Sequence, residues 1–191
     1  YENIVLNGRL QPNYFKGEAW VSDEDLEFDF SGEVDFSKDK PVMDFVANVV
    51  EADLVKLNLY NKEPVAKLSS IVEINLKGNH WSNIEGELGV YYTSLETSDN
   101  HYYYNDVLFT SEKFKEKDIL SFKSDFLTAN LEGQIDVPNI FNSLLAYLNP
   151  HFPLLSGSSN YIQDFEFELD LLNTSALTEF LIPKFNFQQG T

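Results

Sequence analysis

Cysteine is absent from the 191 residues. Disulfides and thiolate metal sites are therefore excluded, and the redox compartment stays open. Basic residues are scarce, with 13 Lys and Arg against 31 Asp and Glu for a formal net charge of −18. A chain so acidic is not built to hold nucleic-acid phosphate or an anionic membrane surface as its main partner. Any lipid would have to be held by its tails. No apolar run approaches the roughly 18 to 20 residues of a membrane-spanning helix. Residues 1–15 lack the charged start and apolar centre of a secretory signal, so the sequence reads either as mature and soluble or as a piece of something longer. No Pro- or Ser-rich linker divides it, and the expectation is a single domain over residues 1–191.

Signatures of catalysis are missing too. His80, His101 and His151 are far apart, and no H-E-x-x-H, G-x-S-x-G, Walker loop or G-x-G-x-x-G is present. The expectation is a non-enzyme with no cofactor and no metal. The many carboxylates read as a solvated acidic face rather than a catalytic pair. Asp23-Glu24-Asp25 lacks the Gly and distal Glu of a calcium loop. Tyr102-Tyr103-Tyr104 with Tyr91-Tyr92 fits either a sugar-stacking platform or ordinary cross-strand aromatic pairs. Asn173-Thr174-Ser175 matches a glycosylation sequon.

What is present is alternation. In residues 26–37, Leu26, Phe28, Phe30, Gly32, Val34 and Phe36 alternate with Glu27, Asp29, Ser31, Glu33, Asp35 and Ser37. Successive strand side chains point to opposite faces, so the segment carries one apolar and one anionic face. Residues 4–11 and 15–21 precede it as strands, with turns at Pro12-Asn13 and Ser22 to Asp25. Residues 42–50 are apolar on both faces apart from Asp44 and Asn48, which predicts a better covered strand. Residues 52–60 space Leu54, Leu57 and Tyr60 as one short helix, with a loop as the alternative.

The pattern then resumes. Leu68, Val72, Ile74 and Leu76 share a face in residues 66–78, and Ile84, Leu88, Val90 and Tyr92 in residues 84–92. Strands follow at 102–109, 119–125 and 126–136, the last with Leu127, Ala129, Leu131 and Ile135 on one face. Only residues 138–148 change period. Ile140, Phe141, Leu144, Leu145 and Leu148 lie three and four apart, with Pro138 near the start and Asn149-Pro150 at the exit, predicting one amphipathic helix over the concave face of the sheet. A loop over 150–160 leads to a final strand with Phe165, Phe167 and Leu169 against Asp164, Glu166, Glu168 and Asp170, then an ambiguous tail. Strands in close succession favour an antiparallel meander.

Glycine recurs inside these strands as apolar-x-Gly-x-apolar, at Gly8, Gly17, Gly32, Gly86 and Gly133 and more weakly at Gly78, using six of nine glycines. Glycine weakens a strand, so something must offset the cost. Kinks that let a large sheet curl would do so, as would an apolar trough floored by glycine.

The order of segments resembles the large AsmA-like group, specifically the C-terminal region of its TamB-like (translocation and assembly module) members. The residues that carry the resemblance are YENIVLNG at 1–8, Phe15-x-Gly17, DLEFDFSGEVDF at 25–36, ADLVKLNL at 52–59, and Ser124-Asp125-Phe126 leading into ANLEG at 129–133. The resemblance implies a mainly β fold in which a large antiparallel sheet curls into an apolar groove. It implies a periplasmic setting, with the full-length protein anchored in the inner membrane, and phospholipid carriage between inner and outer membranes in outer-membrane biogenesis. An outer-membrane barrel assembly protein is the implied second partner, and the family has no catalytic residues to carry over.

The expected site is therefore the apolar row, with lipid contacts from Leu26, Phe28, Phe30, Val34, Phe36, Leu68, Val72, Ile74, Leu76, Ile84, Leu88, Val90, Leu127, Leu131, Ile135, Phe165, Phe167 and Leu169. The rival expectation is a closed β-sandwich or barrel serving adhesion or carbohydrate binding, with the same row as its core. Alternation alone does not separate them.

Overall fold

A computed structural model describes residues 3–140, 143 and 163–172. These residues form one antiparallel sheet of ten strands: β1 (Asn3–Gln11), β2 (Tyr14–Ser22), β3 (Leu26–Asp35), β4 (Val42–Asp53), β5 (Ala66–Lys77), β6 (Glu85–Thr97), β7 (His101–Phe114), β8 (Lys117–Ser124), β9 (Leu127–Gln134) and β10 (Asp164–Leu171). Their spatial order is their chain order, and the sheet is not closed into a barrel. Short turns join several of the neighbouring strands. Pro12-Asn13 joins β1 to β2 with Asn13 at φ +61, and Asp23 accepts from the Asp25 backbone N–H between β2 and β3.

The register carries one row of positions across all ten strands: Gly8, Gly17, Gly32, Phe45, Ile74, Leu88, Phe109, Phe122, Ala129 and Leu169. Directly opposed residues share a face, so one face is apolar from edge to edge. The parallel row on the other face is Arg9, Lys16, Glu33, Asp44, Asn75, Glu87, Thr110, Ser121, Asn130 and Glu168.

Period-2 alternation alone would not keep that division in the long central strands. In β4 the apolar positions are odd up to Val49 and even at Ala52, while in β6 they are even up to Val90 and odd at Leu95. Irregularities in register lie between these pairs, and Tyr92 stands at φ +51 beside one of them. A bulge shifts the parity by one, which returns Ala52 and Leu95 to the apolar face beside Leu26, Leu68 and Tyr102.

Glycine is required where backbones approach. Gly8, Gly17 and Gly32 face one another, and a Cβ on Gly17 would fall 2.6 Å from the Gly8 Cα. Gly86 sits at φ +128, where a side chain is strained whatever the space. These positions fit the expectation that glycine permits coiling and close approach.

Two local expectations are corrected. Residues 52–60 form no helix, and the loop alternative holds once β4 has ended at Asp53. After β4 ends, Asp53 accepts from the backbone N–H groups of Val55 and Lys56, and Asn58 at φ +58 ends the turn as Leu59 N–H bonds the Leu54 carbonyl. The result is a single capped turn, too short for its three apolar residues to propagate a helix. The strand at 42–53 is not covered on both sides, because Val46 and Val50 are exposed on 44% and 46% of their surface. The expected helix over 138–148 lies mostly outside the described residues, among them Phe141, Leu144, Leu145 and Leu148. The expected loop at 150–160, the tail and the sequon lie there too.

Candidate functional site

The apolar face has no second layer against it among the described residues. Its buried apolar side chains are mostly small, namely Ala47, Ala52, Ala66 and Ala129 with Leu120 and Ile135, and no large side chain is fully buried. The phenylalanines and leucines between them are half-buried by their own sheet neighbours. Toward both edges even that cover goes: Leu6 and Leu10 of β1 are exposed on 69% and 80% of their surface, and Phe167 and Leu169 of β10 are exposed as well. Among the described residues the sheet is not closed into a barrel, and no second sheet covers this face.

The register brings the expected site residues onto this face. Phe30, Val72 and Val90 lie in one row with Leu6, Ala19, Ala47 and Val107. Ile74, Leu88 and Leu169 lie in the glycine-led row, and Val34, Leu76, Leu131 and Phe167 in the next, with Leu10, Phe15 and Met43. Phe28 opposes Val21 and Val49, while Leu26 and Leu68 meet at Ala52. Leu127 opposes Leu171 and Phe165 opposes Gly133. Phe36, Ile84 and Ile135 lie just beyond strand ends, Phe36 exposed, Ile84 half-buried and Ile135 buried.

The sequence reading missed part of the surface. Met43, Phe45, Ala47 and Val49 of β4, Val107 and Phe109 of β7, and Leu120 and Phe122 of β8 complete the rows. The signal for β4 was present, since its odd positions 43, 45, 47 and 49 are all apolar. Ring contacts knit the face at β2 to β4, where Phe30 lies 5.8 Å from Phe15 and 4.9 Å from Phe45 between centroids. Phe45 stands opposite Gly32, so the ring covers the strand that has no side chain.

One end of this face is partly covered by the turn after β4. The Leu54 backbone N–H bonds the Ala66 carbonyl, folding the turn after β4 against the sheet. Leu54, Tyr60, Ala66, Leu95 and Tyr102 then enclose a hollow of about 220 Å³. At the opposite end the short 3-10 segments Trp81–Asn83 and Val137–Asn139 touch, although they flank β6 and β9 with two strands between.

The other face is acidic and wet. Cross-strand ion pairs run along it, with Lys16 to Glu33 at 3.0 Å, Lys67 to Glu51 at 2.7 Å and Lys117 to Glu132 at 2.7 Å. Each raises its lysine, first through the carboxylate hydrogen bond, and each is exposed enough to contribute little to stability. Asp35 differs, being almost fully buried. It accepts from the Ser37 hydroxyl at 2.5 Å and from Lys38 at 2.9 Å, and these contacts hold its carboxyl down to about 2.

A cleft of about 680 Å³ also opens on this face, lined by Asp44, Glu73, Asn75, Glu87, Gly89 and Tyr91 among others. Ile74 is the one expected site residue that borders it. The Tyr91 ring lies over Gly89, and burial pushes its hydroxyl up, with Glu73, Glu87 and Asp106 adding to the effect.

The remaining candidates dissolve into structure. Lys56 pairs with Asp25 at 2.6 Å and Glu24 at 3.5 Å, and no cluster of metal-ligating side chains occurs among the described residues. The tyrosines form no single platform. Tyr102 and Tyr104 oppose Leu95 and Thr93, while Tyr103 opposes Ser94 on the other face. His80 caps Trp81–Asn83, and His101 contacts the Ser94 hydroxyl at 2.6 Å. No helix among the described residues is long and apolar enough to cross a membrane. No family model, curated protein or solved structure matches the chain.

Proposed function

We propose that this chain is a non-enzymatic β-groove module whose apolar face holds the acyl chains of phospholipid. The observation that carries the reading is the apolar face running from β1 to β10 with no layer over it among the described residues. Three neighbouring rows span roughly 13 Å along the strands, and ten strands span roughly 40 Å, so the band covers on the order of 500 Å² in projection. That reaches the upper range of the largest apolar patch on a typical soluble monomer, about 300 to 600 Å², before the relief of the side chains is counted.

Acyl chains suit this surface better than a headgroup does. Each buried CH2 contributes roughly 0.8 kcal/mol without any directional contact. The net charge of −18 disfavours phosphate, which places headgroups at the rim of the sheet. Selectivity among phospholipids is then low. In the setting that the AsmA-like resemblance implies, the module conducts lipid through the periplasm between inner and outer membranes, within a longer protein anchored in the inner membrane. An outer-membrane barrel assembly protein is the partner expected at the far end.

Mass spectrometry of organic extracts from the purified chain tests the reading. Phospholipid should co-purify with the native chain and be lost from a Phe28→Glu/Phe30→Glu variant whose circular dichroism keeps its strand signal. A native chain free of lipid that also takes up none from mixed vesicles would overturn it.

A further inference from the structure

The turn after β4 brings with it a carboxylate that the chain itself does not satisfy. The backbone N–H groups of Leu59 and Tyr60 bond the Leu54 carbonyl, which carries Tyr60 back toward Leu54 before the chain returns through Lys62-Glu63-Pro64 to β5. Glu63 lines the hollow of about 220 Å³ together with Leu54, Tyr60, Leu95 and Tyr102. Its Oε2 is buried and has no hydrogen-bond partner, the one such side-chain atom among the described residues. A buried acceptor left without a donor is costly, because folding strips its water and returns nothing. The lysines of the flanking segments do not serve it. Lys56 is taken by Asp25 and Glu24, Lys67 by Glu51, and Lys62 is exposed. The Thr97 hydroxyl, also on the hollow, is spent on the β6–β7 hairpin, donating to the Asn100 carbonyl and accepting from the Asn100 N–H, each at 3.2 Å.

We propose that this hollow binds a short alkylammonium group, with the Glu63 carboxylate accepting from the ammonium N–H groups. An ionised carboxylate only accepts, and a charged N–H is among the donors that it holds most strongly. Tyr60 and Tyr102 supply aromatic rings that attract a cation, and Leu54 and Leu95 suit an apolar stem. Size limits the ligand. At roughly 30 Å³ for each water-sized atom the hollow has room for about seven, enough for an ammonium on a short stem and too few for an acyl chain. Water is a poor occupant of the same space, since each molecule needs roughly two to four polar partners. A metal ion does not suit it either, because Glu63 belongs to no cluster of metal-ligating side chains among the described residues. The net charge of −18 concentrates cations at the chain and repels anions. The inference rests on the hollow and not on what the open face holds, so it stands or falls apart from the acyl-chain reading.

An amide NMR titration of the 191-residue chain tests it, with n-butylammonium as the probe and n-butanol as its neutral control, at an ionic strength near 0.15 M where the Debye length of about 8 Å screens exposed carboxylates. The probe should shift the amides of Leu54, Ala66 and Leu95 saturably, and n-butanol should bind about tenfold or more weaker. E63Q should weaken the probe by a similar factor, while E27Q, which removes one exposed charge from the acidic face, should leave it unchanged. Y102L keeps apolar bulk and removes a ring, so it should weaken the probe more than it weakens n-butanol. Circular dichroism reports the fold of each variant. Absence of a saturable shift, shifts spread over the acidic face, n-butanol that binds as tightly as the probe, or a folded E63Q that binds it as the native chain does would each overturn the proposal. Vesicles separate the sources of the ammonium. Displacement of the probe by phosphatidylethanolamine vesicles but not by phosphatidylglycerol vesicles makes a lipid head group the ligand, and a probe that neither displaces makes it a free amine. Displacement by both alike makes the occupant an acyl chain and overturns the assignment.

Discussion

The two faces of the sheet hang from the same ten backbones and meet water in different ways. On the acidic face the side chains are solvated and pair locally, as Lys16 does with Glu33 and Asn48 with Asp29. On the apolar face the large side chains are at most half-buried by one another in the middle of the sheet and exposed at its edges, and no large side chain among the described residues is fully buried. A face of the first kind is at equilibrium with solvent as it stands. One of the second kind leaves transfer free energy ungained, roughly 25 cal/mol for each Å² that a ligand or partner would cover. On the proposed reading binding capacity resides on the apolar face, while the acidic face stays solvated.

The sharpest way to break the comparison is through the floor that both faces share. Gly32→Val should destabilise the chain by about 3 kcal/mol, because its Cβ would strike the backbone of Asp44 and Phe45 at a strained φ. Ser31→Val, one residue along on the exposed acidic face, should stay within about 0.5 kcal/mol of native. Urea unfolding of both variants checks it, and equal tolerance would mean that backbone approach does not matter there.

Phe30→Ala gives the next largest effect. Its ring contacts Phe15 and Phe45, yet it is only half-buried. The expected loss is about 1 to 2 kcal/mol, well below the roughly 3 to 5 kcal/mol of a phenylalanine removed from a sealed core. A loss in the core range by urea unfolding would show that something covers the face.

Asp35 gives a smaller effect, confined to acid. Its folded carboxyl is lowered from 3.8 to about 2, so its stabilising contribution is fully present above the unfolded value and is lost as pH falls from there through about 2. Stability of the native chain relative to Asp35→Asn should therefore shrink across that window and be level near neutrality. Urea midpoints of both chains at several pH values measure it. Lys16→Gln, on the open acidic surface, should shift the midpoint by no measurable amount.

These contrasts also show what the sequence makes legible. Alternation places most of the strands and the face of the expected residues that lie within them, because one face of an antiparallel sheet is marked wherever polar residues keep strict step. It fails where the step changes. β6 runs on to Thr97, beyond the expected end at Tyr92, because Tyr92 takes a left-handed φ and the pattern resumes on the opposite parity. The face of β7 shifts parity in the same way, even at Tyr102 and Tyr104 and odd at Val107 and Phe109. That hides its share of the site from a period-2 reading. β4 misled for a different reason. Val46 and Val50 are apolar residues on the wet face, and composition does not distinguish a valine that meets water from one that is covered. The long cross-sheet rows are not visible before the strands are set in register.

The central claim, that one face is open to acyl chains and the other is not, is tested most directly by site-specific photocrosslinking in cells that make phospholipid. Benzoylphenylalanine would be placed singly at Phe30, Leu88 and Phe122 on the apolar face and at Asp29, Glu87 and Lys123 on the acidic face. Adducts with the mass of phospholipid should form at the first three positions and stay at background at the last three. Adducts on neither face, or equally on both, would contradict the account.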